Sequence, residues 1–349
     1  MFDTDNLKQT KGLVDTCLAG YKQFKATGAT PPEAYAAIRQ LYVRTNGWFN
    51  DAFQFAYAMK NPAKTIHPTD QTQLPITASE CKNAVSALKR DGFYVFTHRV
   101  PDKYLDPLMQ FSLRAPANLH SKGEYVENSD VCFDPENLVA SNYRFSEERV
   151  VNELPVQKIM CDPAILHIAQ TYIGSQISFT NCEMWWTTPY KCNEAASELA
   201  QLFHFDMDRI KFLKFFLYLT DVEATSGPHC YVRGSCIRKP KQFLEDRRFQ
   251  DAELAAHYKP SDFVEITGRR GTLMAVDTRG FHKGKMPQAG NRLILQLEFG
   301  NSLFGAIYPH AVINAKGPEL TSALKRDPQL FANFVINEQV KTAELVGAR

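Results

Sequence analysis

No apolar run in this 349-residue chain approaches the length of a membrane span. Its acidic start, Met1-Phe2-Asp3-Thr4-Asp5, lacks the basic-then-apolar order of a secretion signal, so a cytoplasmic location is expected. An excess of one charge is missing too. With a formal net charge of only +2, neither nucleic acid nor a membrane surface is an expected partner. The eight cysteines, Cys17, Cys81, Cys132, Cys161, Cys182, Cys192, Cys230 and Cys236, show no Cys-x-x-Cys spacing. That argues against a zinc knuckle or disulfide framework and for reduced, mostly buried thiols. Low-complexity segments and internal repeats are also absent. What remains is ordinary globular composition, 44% hydrophobic and 12% aromatic, in a length that suits one catalytic domain with additions.

Residues 6–59 carry apolar positions at helical spacing, Leu13, Cys17 and Tyr21 and then Tyr35, Ile38, Leu41 and Tyr42, with Pro31-Pro32 between them. An amino-terminal helical extension is expected over 1–60, then a proline-containing linker over 61–76. Thr77-Ala78-Ser79-Glu80 is a capping-box pattern and Gly92 a helix stop, followed by a strand at Phe93-Tyr94-Val95-Phe96. Further helices are expected from Asp102 to about Leu113 and from Asp162 to Tyr172. From Ile177 onward the pattern changes to short aromatic and β-branched runs: 177–186, 202–206, 212–219, 230–232, 263–266, 272–276 and 292–299. Strands at this density point to an all-β core with flanking helices, a double-sheet jelly roll over 77–300. The charged stretch 237–258 reads as a helical insertion, and 301–349 as a return to helix.

His204-Phe205-Asp206 is the chemical signal. Nine histidines and an acidic fraction of 38 in 349 produce about one such triplet by chance. Its setting adds weight. In a strand, residues two apart share a face, so His204 and Asp206 can converge on one ion. His282 follows a further apolar strand, and Arg292 begins the next one, placing a permanent cation in an apolar run that calls for an anionic partner. Two imidazoles and one carboxylate on one face of an iron ion leave the other positions open for oxidant and cosubstrate.

In order, the chain also has the helix leading into Gly92-Phe93-Tyr94-Val95-Phe96, the helix ending at Gly174, Tyr218-Leu219-Thr220-Asp221-Val222, and Ser226-Gly227-Pro228. Val232-Arg233-Gly234-Ser235 and Gly271-Thr272-Leu273-Met274 complete the series. Residues 77–300 thereby resemble the phytanoyl-CoA dioxygenase-like family of Fe(II)- and 2-oxoglutarate-dependent oxygenases. Arg233 and Cys236 depart from that family's usual proline and histidine, neither a metal ligand there. The resemblance implies that His204, Asp206 and His282 bind Fe(II) and that Arg292 binds the distal carboxylate of 2-oxoglutarate. It implies a dioxygenase that consumes O2 and 2-oxoglutarate, releases succinate and CO2, and hydroxylates an aliphatic C–H bond of a small molecule. Asp206 fills the position a halogenase would vacate for halide, so halogenation is disfavoured, while desaturation and ring formation stay open.

Other residues are weighed more evenly. Asn181 and Lys214 are candidates for cosubstrate contacts, Lys214 against its alternative as an edge lysine that keeps its charge in water. Of Trp185 and Trp186, only one can face inward. His229 lies in a turn and reads as a loop or supporting residue. Arg292 has the competing reading of a partner for Glu298 or Asp277. The clusters Arg238-Lys239-Pro240-Lys241 and Arg247-Arg248 alternate with Glu245-Asp246, which marks a solvated helix; the alternative is admission of an anionic or carrier-linked substrate. The amino-terminal helices are expected to serve packing or homodimer contact, with a lid as a third role. Two rival functions stand beside the oxygenase: a catalytically silent jelly roll that binds a ligand or partner, and a cupin-type metal enzyme without 2-oxoglutarate.

Overall fold

The computed structural model describes residues 4–68, 72–191 and 195–337, which leaves Cys192 and the end of the expected carboxy-terminal helix outside the described residues. The chain opens with helices α1 (Thr4–Thr27), α2 (Pro32–Thr45) and α3 (Trp48–Lys60), the last two separated by left-handed Asn46 and Gly47. Then come α4 (Ala78–Asp91), β1 (Phe93–Val95), α5 (Asp102–Arg114), β2 (Asn118–Ser121), β3 (Glu124–Val126) and β4 (Asn142–Arg144). Three helices follow, α6 (Glu147–Val151), α7 (Leu154–Met160) and α8 (Pro163–Ile173). The second half holds β5 (Ser178–Thr187), β6 (Phe212–Tyr218), β7 (His229–Val232), α9 (Asp251–Ala255), β8 (Phe263–Ile266), β9 (Leu273–Val276), β10 (His282–Gly284) and β11 (Arg292–Gly300). It closes with β12 (Val312–Asn314), α10 (Pro318–Arg326) and β13 (Val335–Asn337).

Two antiparallel sheets form the core: an eight-stranded one in the order β1-β9-β6-β11-β5-β4-β2-β3, and a three-stranded one in the order β10-β7-β8. This is the double-sheet jelly roll with flanking helices that the strand density predicts. Period-two alternation decides what each face does. On β6 and β11, Leu213, Phe215, Leu217, Leu293, Leu295, Leu297 and Phe299 join the large apolar cluster that also takes in residues of α4, α5, α7 and α8. The opposite parity, Phe216, Tyr218 and Ile294, packs on Tyr231 of β7 and Ile266 of β8, filling the space between the sheets. That same parity carries Lys214, Arg292, Gln296 and Glu298. The polar face of an otherwise apolar sheet is therefore aimed at the smaller sheet.

The amino-terminal helices are bound to this core by apolar packing. Cys17, Ala34, Ala37, Ile38 and Leu41 bury against Ile210 and Phe304. Phe304 belongs to the stretch after β11, where helix is expected; Gly305 at φ 150, Pro309 and Gly317 break the chain there, and the helix begins only at Pro318. Three further expectations need correction. Thr77 does cap α4, accepting from the Glu80 amide at 3.1 Å, but the Glu80 carboxylate accepts from the Thr97 amide at 2.7 Å, leaving the capping box half formed. Residues 202–206 make isolated bridges, Phe203 with Phe249 and His204 with His282, because Asp206 turns to donate its amide to Thr278. The insertion 237–258 holds only a 3-10 turn and the five-residue α9, since its buried residues Phe243, Phe249 and Leu254 are spaced by six and five. Within it Lys239 is buried, bonded to the Tyr42 hydroxyl at 2.9 Å, so that cluster is no solvated helix.

Candidate metal centre

His204 and His282 face each other across a two-way backbone bridge, each donating its amide to the other's carbonyl at 3.0 and 2.9 Å. Asp206 completes the group. One ligand atom from each of the three residues lies within 4.8 Å of the others, with His204 and His282 buried. Asp206 Oδ1 stands 3.8 Å from His204 Nε2, and its Oδ2 stands 3.5 Å from His282 Nε2.

The imidazoles are held in one tautomer. His204 Nδ1 lies 2.9 Å from the Leu202 carbonyl and His282 Nδ1 lies 3.0 Å from that of Gly280. A carbonyl can only accept, so each Nδ1 carries the proton and each Nε2 lone pair points at the carboxylate, the arrangement a divalent ion requires. Burial, reinforced by His282, pushes the His204 pKa down to about 3. Burial also lowers His282. Both rings are thus neutral donors at neutral pH. Burial would raise Asp206, but the adjacent Lys214 ammonium outweighs it and holds the carboxyl well below the usual range. The donor set, two neutral nitrogens and one ionised carboxylate with open space beside them, fits a transition metal with free positions.

A cavity of about 200 Å³ opens on this group between the two sheets. Arg292 lines it. Its guanidinium donates to the Gly227 carbonyl and, at 3.1 Å, to the Thr187 hydroxyl, while Nε has no partner. Among the described residues no carboxylate pairs with it: Glu298 faces Lys214 and Thr180, and Asp277 holds Arg279, Lys211 and Tyr172. A fully desolvated cation without a counter-charge is costly, and here it borders an empty-sided cavity that a carboxylate could enter. His229 stands beside it, 5% exposed, stacked on His282 with ring centroids 5.6 Å apart, and its Nε2 is also unpartnered. Burial, then the neighbouring imidazole and Arg292, hold it neutral.

The other candidates fall in different places. Lys214 is buried in the middle of the large sheet, on β6 between β9 and β11, so the edge-lysine reading fails. Its ammonium donates to Asp206 at 2.8 Å and Asp208 at 3.0 Å, with Glu298 at 3.5 Å. It lines the cavity, and in this structure it is bonded to the Asp206 carboxylate. Asn181 does not border the cavity; it donates at 2.8 Å to Glu183, which does, and Glu183 is paired with Arg144 at 2.5 Å. Trp185 lines the cavity, whereas Trp186 stacks on Phe133 at 3.9 Å in the helix-side core. Glu183 and Gln296 are cavity residues that sequence reasoning passes over, and His229, read from the sequence as a loop or supporting residue, lines the cavity too. The parity of Arg292 on β11 could have flagged Gln296, and a lone charge in an apolar strand could have flagged Glu183.

No family model matches the chain, and no curated protein matches it. Solved structures do. The chain is similar to SnoK, a non-heme alpha ketoglutarate dependent carbocyclase from nogalamycin biosynthesis, at 16% identity over 65% of this chain and 87% of that one, TM-score 0.46. It is similar to EctD from S. alaskensis at 17% identity over 71% and 87%, TM-score 0.45. A third is HygX from Streptomyces hygroscopicus with nickel and 2-oxoglutarate bound, at 13% identity over 68% and 93%, TM-score 0.45.

Proposed function

We propose that this chain is an Fe(II)- and 2-oxoglutarate-dependent dioxygenase that hydroxylates an aliphatic C–H bond of a small molecule, with O2 as oxidant and succinate and CO2 as coproducts. One observation carries the reading: a buried guanidinium with no counter-ion among the described residues shares a small cavity with three convergent atoms of metal-ligating type. A dicarboxylate satisfies both ends of that cavity at once, its far carboxylate on Arg292 and its near end toward His204, Asp206 and His282. The silent jelly roll leaves such a costly cation unexplained. An enzyme without 2-oxoglutarate would have to use Arg292 for its substrate.

Bound Fe(II) would supply the oxidative chemistry. The protein's part is positioning and charge. His204 and His282 present fixed lone pairs. Lys214 keeps Asp206 ionised and turned toward the histidines. Arg292, its guanidinium held by the Thr187 hydroxyl, lines the cavity, and Ile294 and Phe216 give it apolar walls. The ionised Asp206 keeps the third ligand position filled, which favours hydroxylation over halide transfer.

Succinate release tests this: it should require O2, Fe(II) and 2-oxoglutarate, and vanish in His204→Ala, Asp206→Ala and His282→Ala. Undiminished release in all three variants would sink the proposal.

A further inference from the structure

His204 and Asp206 also line a second cavity, of about 340 Å³, on the outer side of the metal group. Its other walls come from two places that a jelly roll does not itself require. Tyr35 and Arg39 project from α2 of the amino-terminal extension, and Asp246, Arg247 and Arg248 come from the irregular segment before α9. The lining is dominated by charged side chains, so this space does not suit an acyl chain or another apolar skeleton.

Charge pairing inside the cavity is nearly complete, with one exception. Arg39 is bonded to Asp246, with Nε at 2.8 Å. Arg247 is paired with Glu245 at 2.7 Å and Glu253 at 2.8 Å, and Asp208 with Lys214 at 3.0 Å. Arg248 is an exposed residue on the cavity wall, and its guanidinium has no hydrogen bond or ion pair among the described residues, although it stands near enough to Asp206 and Asp246 to feel both charges. The cavity therefore has one uncommitted fork of N–H donors, placed on the same side as the metal-ligating pair.

We propose that this second cavity holds the molecule to be oxidised, and that this molecule is small, polar and carries an oxyanion, carboxylate or phosphate, gripped by Arg248. The assignment rests on the oxygenase reading above, which gives the inner cavity to 2-oxoglutarate and leaves the outer one for substrate. A guanidinium matches either oxyanion with two parallel hydrogen bonds. Anchoring the anion at Arg248 would leave the rest of the substrate beside His204 and Asp206. In this arrangement α2 is a wall of the substrate site, with Tyr35 and Arg39 bordering the ligand, and the extension does more than buttress the core.

The probes are inorganic phosphate and acetate, with neutral acetamide as the control, added to protein loaded with Mn(II) and saturated with 2-oxoglutarate. Paramagnetic line broadening of phosphorus or carboxylate carbon reports even weak binding close to the metal. One of the two anions should broaden several-fold more than acetamide, phosphate or acetate naming the oxyanion, and the excess should disappear in Arg248→Gln. Broadening no greater than that of acetamide, or broadening that survives Arg248→Gln, overturns the substrate assignment. Mn(II) and 2-oxoglutarate binding are measured in the same samples. If either fails to bind, the oxygenase reading falls and this assignment falls with it.

Discussion

Replacing Arg292 with glutamine should separate two quantities that commonly move together. The guanidinium is buried, gives one bond to Gly227 and one to Thr187, and has no anionic partner among the described residues. Removing it relieves an uncompensated charge and leaves a side chain that can still donate to one of those oxygens. Stability to urea should therefore stay within about 1 kcal/mol of the parent or rise, since the loss of a hydrogen bond of about that size is offset by the relieved desolvation. Affinity for 2-oxoglutarate should move the other way. Losing one partner of a buried, hydrogen-bonded charge pair costs about 2–5 kcal/mol, or roughly 30-fold to 5000-fold in Kd at about 1.4 kcal/mol per tenfold. Calorimetric titration of 2-oxoglutarate into Mn(II)-loaded protein, beside urea unfolding of the metal-free protein, measures both. An unchanged Kd, or a stability loss of several kcal/mol at unchanged Kd, would mean that Arg292 is a structural cation and refute the argument.

Asp277 is the opposite case, a fully buried carboxylate that holds Arg279 at 2.6 Å, Lys211 at 3.8 Å and the Tyr172 hydroxyl. Asp277→Asn should leave buried Arg279 and half-buried Lys211 without this carboxylate and cost about 3–5 kcal/mol of stability by urea unfolding; a loss below about 1 kcal/mol would show that the network is not needed. Glu147 supplies a pH test. Burial raises its pKa to about 8 from 4.5, so the folded state holds a proton that the unfolded state releases. The stability this contributes is present below pH 4.5 and is lost as pH rises through 8. Glu147→Gln should therefore gain stability relative to the parent as pH rises between those values, at no more than about 1.4 kcal/mol per pH unit, and a gap that shrinks with rising pH would contradict it.

Much of this fold is legible locally, because its signals are local. Gly92 and Gly174 stop helices with left-handed backbone, and Asp162 caps α8 through the Ala164 amide at 2.9 Å. The long apolar strands β5, β6 and β11 announce themselves by β-branched and aromatic content. Short strands do not: β2, β3, β4 and β10 have three or four residues each, too few for a period to register. The site divides the same way. His282 and Arg292 are legible because the first follows strand β9 and the second begins β11, and His204 and Asp206 are legible by their spacing of two, although 202–206 forms isolated bridges and no strand. His229 is hidden behind a Gly-Pro turn, and only its pairing across β7 and β10 brings it against His282. Asn181 and Lys214 have the strand parity of the cavity face; Asn181 lies off the cavity, bonded to Glu183, and Lys214 lines it, bonded to Asp206. Depth is set by register with β11, where Glu298 lies opposite both residues, and no spacing within a single strand encodes that. Nor does sequence tell which arginine of the insertion is left unpaired, since that depends on Asp246 meeting Arg39 of a helix 207 residues away.

If His204, Asp206 and His282 hold iron while Arg292 brings 2-oxoglutarate to the same centre, anaerobic absorbance spectroscopy will show it, with Fe(II) added first and 2-oxoglutarate second. A visible metal-to-ligand charge-transfer band should need both additions, be lost in His282→Ala, and in Arg292→Gln form only at much higher 2-oxoglutarate. No band after both additions, or a band of equal strength in His282→Ala, would contradict it.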